Sequence, residues 1–287
     1  MIKTFFVSDL HGKLDRYEKL FRKIYTDRPE IVLMGGDLLP SGIILHRKYD
    51  DIHTDFINDY LIKEFTKLQT DLQDEYPLVL LIMGNDDPRS EEYKLLAAQE
   101  KGLWHYLHMQ KHFYKKYLFF GYASIPPSPF LLKDWERYDV SHFLDVGSIS
   151  PADGYRTFPL SSTEIDHNTI ARELGQLFGE TDLFNAVLIF HAPPYQTDLD
   201  LTAQEGVLVD HVPMDPHVGS IAVKRLLEER QPYLSLHGHI HESARLSGSW
   251  KDMVGKTPCF SAAYDGAELA LIEFDLDDPF TARRLLL

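Results

Sequence analysis

Side chains that can bind metal ions recur along this chain in short patches. They are Asp9 and His11 in S-D-L-H-G, Asp37 in M-G-G-D-L, Asn85 in M-G-N-D-D, His191 in F-H-A-P-P, and His239 with His241 in H-G-H-I-H-E. Carboxylate, imidazole and amide groups suit Mn²⁺, Fe or Zn²⁺, and the lack of thiolates among them disfavours a structural zinc cage. One such patch arises by chance in many chains, so the prediction of a metal site rests on the ordered set.

Most of these patches follow a short apolar run and are broken off by Gly, Asn or Pro, a pattern typical of a buried strand that ends in a loop. The runs are Thr4 to Ser8, Ile31 to Met34, Val79 to Met83, Val187 to Phe190 and Tyr233 to Leu236. Such strand ends can converge on one edge of a sheet. In an extended G-H-I-H segment, residues two apart face the same way, so His239 and His241 can each reach a metal ion.

The order D-x-H, G-D, G-N-x-D, H and G-H-x-H resembles the calcineurin-like metallophosphoesterase superfamily, and the resemblance spans Asp9 to His241. It implies two divalent metal ions. One would be held by Asp9, His11, Asp37 and His241, and the other by Asp37, Asn85, His191 and His239, with Asp37 as the bridge. The stretch from His217 to Ser243 further resembles a bacterial and archaeal branch of small intracellular phosphoesterases.

Alternating strand-like and helix-like runs predict an α/β layered fold. Helical stripes are expected over Leu14 to Tyr25, Phe56 to Gln73, Thr163 to Phe178 and Ser220 to Glu229, with another helix opening at Ser90. The family resemblance implies two mixed β-sheets packed as a sandwich and flanked by helices, a four-layer arrangement. No low-complexity linker divides the chain, so we expect one domain over residues 1–287.

The segment from about 124 to 162 is the least regular part of the sequence and is too long for a plain connection. Its aromatic residues argue against disorder, which leaves an ordered cap beside the metal site or a packing insert remote from it. Its basic residues are Lys133, Arg137 and Arg156. One of them could bind phosphate oxygens, and the alternative is that all three are solvated at the surface.

Asp86 occupies the position after Asn85 where most members of the resembled superfamily have a histidine that protonates the leaving group. Two nearby cations would hold the pKa of this carboxyl down, so it is a poor proton donor. We expect Asp86 either to point away from the site or to contact a metal ion, and esters with acidic leaving groups to react best. Branches of the superfamily without this histidine act mainly on diesters.

The formal net charge of −15 and the single cysteine, Cys259, restrict the partners and the compartment. No basic stripe offsets the negative charge, which disfavours extended nucleic acid. One cysteine excludes an intrachain disulfide and fits a reducing compartment. No apolar run reaches the length of a signal peptide core or a membrane span. We therefore expect a cytoplasmic protein with a small phosphate-ester or nucleotide substrate.

These observations predict a phosphoesterase in which two metal ions about 3.5 to 4 Å apart activate a bridging water. Mn²⁺ is our first choice, with Fe or Zn²⁺ as alternatives, and a phosphodiester is favoured as the substrate. Two other functions stay open. One is a binding scaffold on a degenerate phosphoesterase fold, and the other is a nuclease of the same superfamily. The sequence leaves the natural substrate and the oligomeric state undetermined.

Overall fold

The computed structural model describes residues 1–41, 55–204 and 206–287, and in this part of the chain two six-stranded β-sheets form the centre of the molecule. The first sheet contains, in spatial order, β14 (Asp278–Leu286), β13 (Ala270–Asp275), β1 (Lys3–Val7), β2 (Ile31–Gly35), β3 (Leu78–Ile82) and β4 (His105–Tyr106). The second contains β11 (Lys251–Val254), β12 (Thr257–Ser261), β10 (Leu234–His237), β7 (Ala186–Phe190), β6 (Tyr117–Tyr122) and β5 (Gln110–Tyr114). A short hairpin of β8 (Leu208–Val209) and β9 (Val212–Pro213) lies outside both sheets.

The central strands of each sheet are parallel. Antiparallel strands lie at both edges of the second sheet and at one edge of the first, whose other edge strand, β4, runs parallel to β3. Thr4 on β1 pairs with Ile31 on β2, which in turn pairs with Leu78 on β3, and β7 runs parallel to β10 in the second sheet. Every residue of β2 and β7 is buried. Continuous apolar sequences of this kind suit parallel strands that are covered on both faces. Parallel neighbours end at the same edge of a sheet, so the loops that follow them are brought together.

The two sheets pack face to face, as the alternation of side chains on β7 shows. Val187 and Ile189 join the main hydrophobic core together with residues of the first sheet. Leu188 and Phe190 point the other way, into a second core. Successive strand residues face opposite sides of a sheet, so β7 has one core on each side. The predicted fold class, two mixed sheets flanked by helices, is confirmed.

Helices cover the outer faces of the sheets. They are α1 (Leu14–Asp27), α2 (Ile62–Leu72), α3 (Glu92–Gln99), α4 (Ser162–His167), α5 (Ile170–Phe178), α6 (Ile221–Arg230) and the short α7 (Ser243–Ser247). A π-helical turn, Ile57–Leu61, leads into α2. Residues of α1 and α2 pack in the main core, whereas α5 and α6 supply apolar side chains to the second core.

The predicted helix from Thr163 to Phe178 is in fact two helices. Asn168 and Thr169 adopt extended backbone angles between α4 and α5, and the Thr169 hydroxyl accepts a hydrogen bond from the Arg172 N–H. A threonine that caps a new helix competes with continuation of the preceding one. The hairpin of β5 and β6 was not predicted, because β5 is mostly exposed and shows no clear alternation of apolar and polar residues.

The segment from 124 to 161 contains no regular helix or strand, yet it is ordered by pairing and burial. Isolated bridges join Ile125 to Glu136 and Leu132 to Tyr155. Trp135 is fully buried, and its indole N–H donates a hydrogen bond to the Asp87 carbonyl oxygen at 2.8 Å. The segment therefore contacts the loop that follows β3. Its description as the cap of a single domain over 1–287 stays a prediction.

No helix within the described ranges has the length and apolar character needed to cross a lipid bilayer. His46 and His53, which belong to no motif of the sequence, lie outside these ranges.

Candidate metal centre

All seven predicted ligands lie in loops that follow parallel strands of the two sheets. Asp9 and His11 follow β1, Asp37 follows β2, Asn85 follows β3, His191 follows β7, and His239 and His241 follow β10. The face-to-face packing of the sheets brings these two groups of loops together, as the convergence of strand ends predicts.

The backbone at four of these residues is left-handed. The φ angles are 59° at Asp9, 50° at His11, 52° at Asp37 and 73° at His239. A non-glycine residue in this region costs of order 1 kcal/mol or more, and such residues concentrate at functional sites. Local backbone preference therefore does not explain these conformations, and the surrounding hydrogen bonds must hold them. The Asp9 carboxylate, for example, accepts hydrogen bonds from the His239 N–H at 3.1 and 3.2 Å.

One group of side chains gathers Asp9, His11, Asp37 and His241, whose candidate ligand atoms all lie within 4.8 Å of one another. His241 Nε2 is 3.2 Å from Asp9 Oδ1 and 3.1 Å from His11 Nε2. This group has the same members as the first ligand set that the family resemblance implies.

A second group adjoins it through Asp37. His191 Nε2 lies 3.4 Å from Asp37 Oδ2 and 3.0 Å from Asn85 Oδ1, and the rings of His191 and His239 are 5.2 Å apart. The same Asp37 oxygen is 3.8 Å from His11 Nε2. Asp37 therefore lies between the two groups, the position that a bridging carboxylate needs.

Two glycines leave room for the cluster. A Cβ atom on Gly84 would lie 2.4 Å from Asp37 Oδ1 and 2.6 Å from a ring carbon of His191, and one on Gly238 would lie 2.7 Å from Asp9 Oδ2. Side chains at these positions would displace the ligands, which is why only glycine fits there. The donor chemistry, the convergence and this clearance together fit a divalent metal centre.

The charges in the cluster stabilise each other. Burial alone would lower the pKa of His191, but the charge of Asp37 and its hydrogen bond raise it to about 9. For His11 burial is likewise outweighed, by Asp86 and Asp37, and its pKa is also about 9. Burial would raise the pKa of Asp37, yet these histidines hold it at about 2. The buried carboxylates thus attract positive charge, which protons or metal ions can supply.

His239 is the exception among the histidines. Burial, with the adjacent His191, lowers its pKa to about 3, so it is a neutral imidazole at physiological pH. Neutral imidazole is the form that binds a metal ion. His237, two residues before the ligand His239 in L-H-G-H, is fully buried, and its Nδ1 lies 2.9 Å from the Ala192 carbonyl oxygen.

Asp86 points towards the cluster and contacts His11. Its Oδ2 lies 3.2 Å from His11 Nδ1, and its Oδ1 accepts a hydrogen bond from the Ser41 hydroxyl at 2.7 Å. A carboxylate on one ring nitrogen leaves the other, Nε2, facing the cluster, an arrangement that orients many metal-binding histidines. The neighbouring Asp87 is buried and accepts backbone hydrogen bonds from Leu38, Leu39 and Gly84, which fixes the loops around it.

Arg16 is a site residue that the sequence reading missed. It is buried in α1, and its guanidinium donates hydrogen bonds of 2.6 Å to the carbonyl oxygens of Asp9 and Gly266. It therefore supports the strained backbone at Asp9. A signal was available, because Arg16 lies on the same helix face as Leu20 and Ile24. A charged residue on an apolar helix face is expected to be buried, and a buried charge needs hydrogen-bond or ionic partners.

The three basic residues of the 124–162 segment bind protein groups outside the cluster. Lys133 is fully buried, 2.5 Å from Glu136, and Arg137 is 5 % exposed and pairs with Glu173 at 3.3 Å. Arg156 donates hydrogen bonds to the carbonyl oxygens of Lys133 and Pro151. The Lys133–Glu136 and Arg137–Glu173 pairs are buried, so Lys133 and Arg137 are not solvated at the surface. The geometry gives no support to phosphate binding by any of the three.

A cavity of about 510 Å³ opens beside the cluster. His11, Asp37, Asn85, Asp86, His239 and His241 form one end of it. Parts of the 124–162 segment, including Pro126, Phe130 and Asp145, also line it, as do residues between Thr202 and Val218. Met214 and Asp215 belong to no recognisable motif, so their place in the lining could not be predicted from the sequence.

A two-sheet α/β fold with a buried carboxylate–histidine cluster at its strand ends defines a metallophosphoesterase. The calcineurin-like phosphoesterase family model matches residues 2–243, and the chain belongs to this family.

Solved structures agree with the fold. One crystal structure, 18 % identical, has a TM-score of 0.59 over 99 % of this chain and 98 % of its own. The TT1561 protein of Thermus thermophilus, 14 % identical, has a TM-score of 0.57 with the same coverage of 99 % and 98 %. A comparison with curated proteins gave no significant match.

Metal binding should release protons in a pH-dependent way. His11 and His191 have pKa values of about 9 without metal, so both are protonated at pH 7.5 and must lose their protons to become ligands. We expect the metal affinity to rise with pH and to level off above about pH 9, where the protons are already lost. Calorimetric titration in buffers of different ionisation enthalpy measures the release. A release that is the same at pH 7.5 and pH 9.5 would contradict this assignment.

Replacing Lys133 separates a structural role from phosphate binding. Lys133→Met leaves Glu136 buried without its partner, and we expect a loss of about 3 to 5 kcal/mol in the free energy of unfolding. KM for a phosphate ester, measured on folded protein at low temperature, should not change. Lys111→Met, at an exposed lysine, is the matched control for stability. A raised KM with unchanged stability would restore Lys133 as a phosphate ligand.

Proposed function

We propose that this protein is a phosphodiesterase that hydrolyses a small phosphate diester with two divalent metal ions, Mn²⁺ being the first choice. The observation that carries the proposal is the position of Asp37. One of its carboxylate oxygens lies 3.8 Å from His11 Nε2 and 3.4 Å from His191 Nε2, so it faces both ligand groups at once. A shared carboxylate is what two adjacent ions require.

The proposed ligands of the first ion are Asp9, His11, Asp37 and His241, and those of the second are Asp37, Asn85, His191 and His239. Two divalent ions held there would lower the pKa of a shared water and neutralise charge on the phosphate. The residues around them hold the ligands in place. Asp86 orients the ring of His11, and Arg16 supports the backbone of Asp9.

The surroundings of Asp86 support a diester rather than a monoester. Its two oxygens are engaged by His11 and Ser41, and it occupies the position where a proton-donating histidine is usual in the resembled superfamily. Without such a donor, the leaving group must depart with little protonation. Esters with acidic leaving groups meet that condition best, because their leaving oxygens are weak bases. The branches of the resembled superfamily that lack this histidine act mainly on diesters, which favours a diester here.

The charge distribution supports a small substrate over extended nucleic acid. The chain carries a formal net charge of −15, and Lys133 and Arg137, two basic residues of the 124–162 segment, are paired internally. A polyanion needs a run of accessible cations along its backbone. The presence of all seven predicted ligands supports catalysis over a binding scaffold. The single buried cysteine supports a cytoplasmic setting.

Turnover of bis-4-nitrophenyl phosphate with added Mn²⁺ tests the proposal. We expect metal-dependent hydrolysis that exceeds the rate with 4-nitrophenyl phosphate and that EDTA abolishes. Asp37→Asn keeps the size of the side chain but removes the charge between the two ligand groups, so kcat/KM should fall at least about 100-fold. His167→Gln, at an exposed histidine that is not one of the proposed ligands, should retain full activity.

The leaving-group dependence adds a second readout to the same experiment. Across methyl aryl phosphates of graded leaving-group pKa, the rate should fall steeply as that pKa rises. No turnover of any ester at saturating Mn²⁺ would favour the scaffold. A flat dependence on leaving-group pKa would contradict the account of Asp86.

A further inference from the structure

His217 lines the cavity beside the metal centre and is bound to a buried carboxylate. Its Nδ1 lies 2.8 Å from Oδ1 of Asp200, which is fully buried and does not itself line the cavity. The Nδ1 side of the ring therefore faces the protein, and the opposite side faces the cavity. Nε2 makes no hydrogen bond within the described part of the chain, and 27 % of the side chain is exposed. This nitrogen is available to a ligand.

The surroundings of Asp200 decide which ring nitrogen of His217 carries the proton. The Asp200 carboxylate accepts backbone hydrogen bonds from Gln196 at 3.0 Å, Thr197 at 2.9 Å and Gly219 at 3.0 Å. A carboxylate surrounded by N–H donors is an acceptor, so the His217 Nδ1 donates its proton to it. In a neutral imidazole with its proton on Nδ1, Nε2 carries a lone pair. The ring thus presents a hydrogen-bond acceptor to the cavity.

The backbone around His217 is also fixed. Its N–H donates a hydrogen bond to the Asp215 carboxylate at 2.9 Å, and it forms an isolated bridge with Leu201. The next residue, Val218, donates its N–H to the Asp200 carbonyl oxygen at 3.1 Å. A side chain with a fixed backbone and one committed ring nitrogen is preorganised, which a specificity-determining group requires.

A second, independent observation concerns three hydroxyl groups of the same lining. Each donates its proton to a protein oxygen, and its own oxygen keeps a lone pair for a ligand. They belong to Ser128, Ser148 and Thr202, which donate to Glu136 Oε1 at 2.6 Å, the Pro127 carbonyl oxygen at 3.0 Å and the Pro216 carbonyl oxygen at 3.1 Å. Together with Nε2 they form a set of acceptors, and a ligand that satisfies them carries hydrogen-bond donors.

A hydroxyl group on the ligand meets the demands of this lining. It can donate to Nε2 of His217 and can accept from the amide of Gln204, which also lines the cavity. Apolar side chains such as Phe130, Met214 and Ile240 line the cavity as well. Pockets that bind small ligands combine such an apolar lining with a few polar groups that set specificity. The lining therefore suits a carbon chain that carries hydroxyl groups.

We propose that His217 is a specificity-determining residue and that the cavity selects phosphodiesters whose second ester arm carries a hydroxyl group, which donates a hydrogen bond to His217 Nε2. This inference rests on the proposed phosphodiesterase function. The phosphate lies at the metal centre, and the carbon chain of the arm lies against the apolar lining. An arm without a donor leaves Nε2 unpaired, which lowers kcat/KM by about tenfold.

The test uses 4-nitrophenyl phosphodiesters with the same leaving group and a second arm of three, four or five carbons. Each arm ends in a hydroxyl group, in a methyl group of similar size, or in a methoxy group, which accepts a hydrogen bond but cannot donate one. At the best-fitting length we expect kcat/KM for the hydroxyl ester to be about tenfold higher than for the other two. Equal values for the hydroxyl and methoxy esters at every length would overturn the proposal.

An asparagine variant assigns the preference to its residue. His217→Asn keeps an amide N–H near the position of Nδ1, so it can still bind Asp200, but it has no counterpart of Nε2. We expect the ratio between the hydroxyl and methyl esters to fall towards one, with an unfolding temperature close to that of the unmodified protein. A preference that persists in this variant would overturn the assignment to His217.

His211→Asn is the matched control. His211 is exposed and does not line the cavity, and its φ angle of 68° is one that asparagine tolerates. This variant should keep the ratio of the unmodified protein. Loss of the preference in both variants would contradict a specific role for His217.

The position of the proton can be measured apart from turnover. Long-range ¹H–¹⁵N NMR spectra of protein labelled with ¹⁵N-histidine distinguish a protonated ring nitrogen from one with a lone pair. Zn²⁺ in place of paramagnetic Mn²⁺ keeps the signals sharp, and the signal that is lost in His217→Asn identifies the residue. We expect the proton on Nδ1 at alkaline pH. A proton on Nε2 would overturn the proposal.

The remaining outcomes separate this inference from the proposed function. Turnover of the hydroxyl, methyl and methoxy esters at equal kcat/KM would overturn the inference and leave the phosphodiesterase proposal intact. No turnover of any of them at saturating Mn²⁺, where bis-4-nitrophenyl phosphate is hydrolysed, would also overturn it. No turnover of any ester, bis-4-nitrophenyl phosphate included, would remove the proposed function and this inference with it.

Discussion

Two buried carboxylates, Asp9 and Asp37, set the constraint on which the rest of this structure depends. Each is fully or almost fully buried, and burying a carboxylate is costly unless positive charge or hydrogen-bond donors surround it. The parallel strands of two sheets end where those carboxylates lie, and the loops after them bring the histidines. Left-handed backbone at four ligands is tolerated for the same reason, since the surrounding contacts hold it. The fold thus provides a pocket that must bind positive charge.

Much of this arrangement could be predicted from the sequence, because parallel buried strands leave a strong pattern. Ile31 to Met34 and Val187 to Phe190 are continuous apolar runs, and each leads into a ligand. The hairpin of β5 and β6 left no such pattern, since one of its strands is mostly exposed. The break at Thr169 could not be predicted, because the sequence does not distinguish a threonine that caps a helix from one inside it. The hydrogen bond from the Arg172 N–H to the Thr169 hydroxyl identifies the cap.

The role of a charged side chain was harder to predict wherever it depends on which partner the side chain binds. Lys133 and Arg137 looked like phosphate ligands because their charge is visible in the sequence, whereas Glu136 and Glu173 as buried partners are not. Asp86 presents the same problem. Its contacts with His11 and Ser41 depend on how three loops meet, and no spacing along the chain reports that. A charged group that is paired inside the protein is not free to bind a substrate.

We propose that two metal ions share Asp37. Crystals soaked in Mn²⁺ and measured near the manganese absorption edge would test it most directly, because anomalous scattering locates each ion independently of any assay. We expect two peaks, one beside Asp9, His11 and His241 and the other beside Asn85, His191 and His239, with the Asp37 carboxylate contacting both. A single peak at saturating Mn²⁺, or two ions that do not share Asp37, would contradict the account.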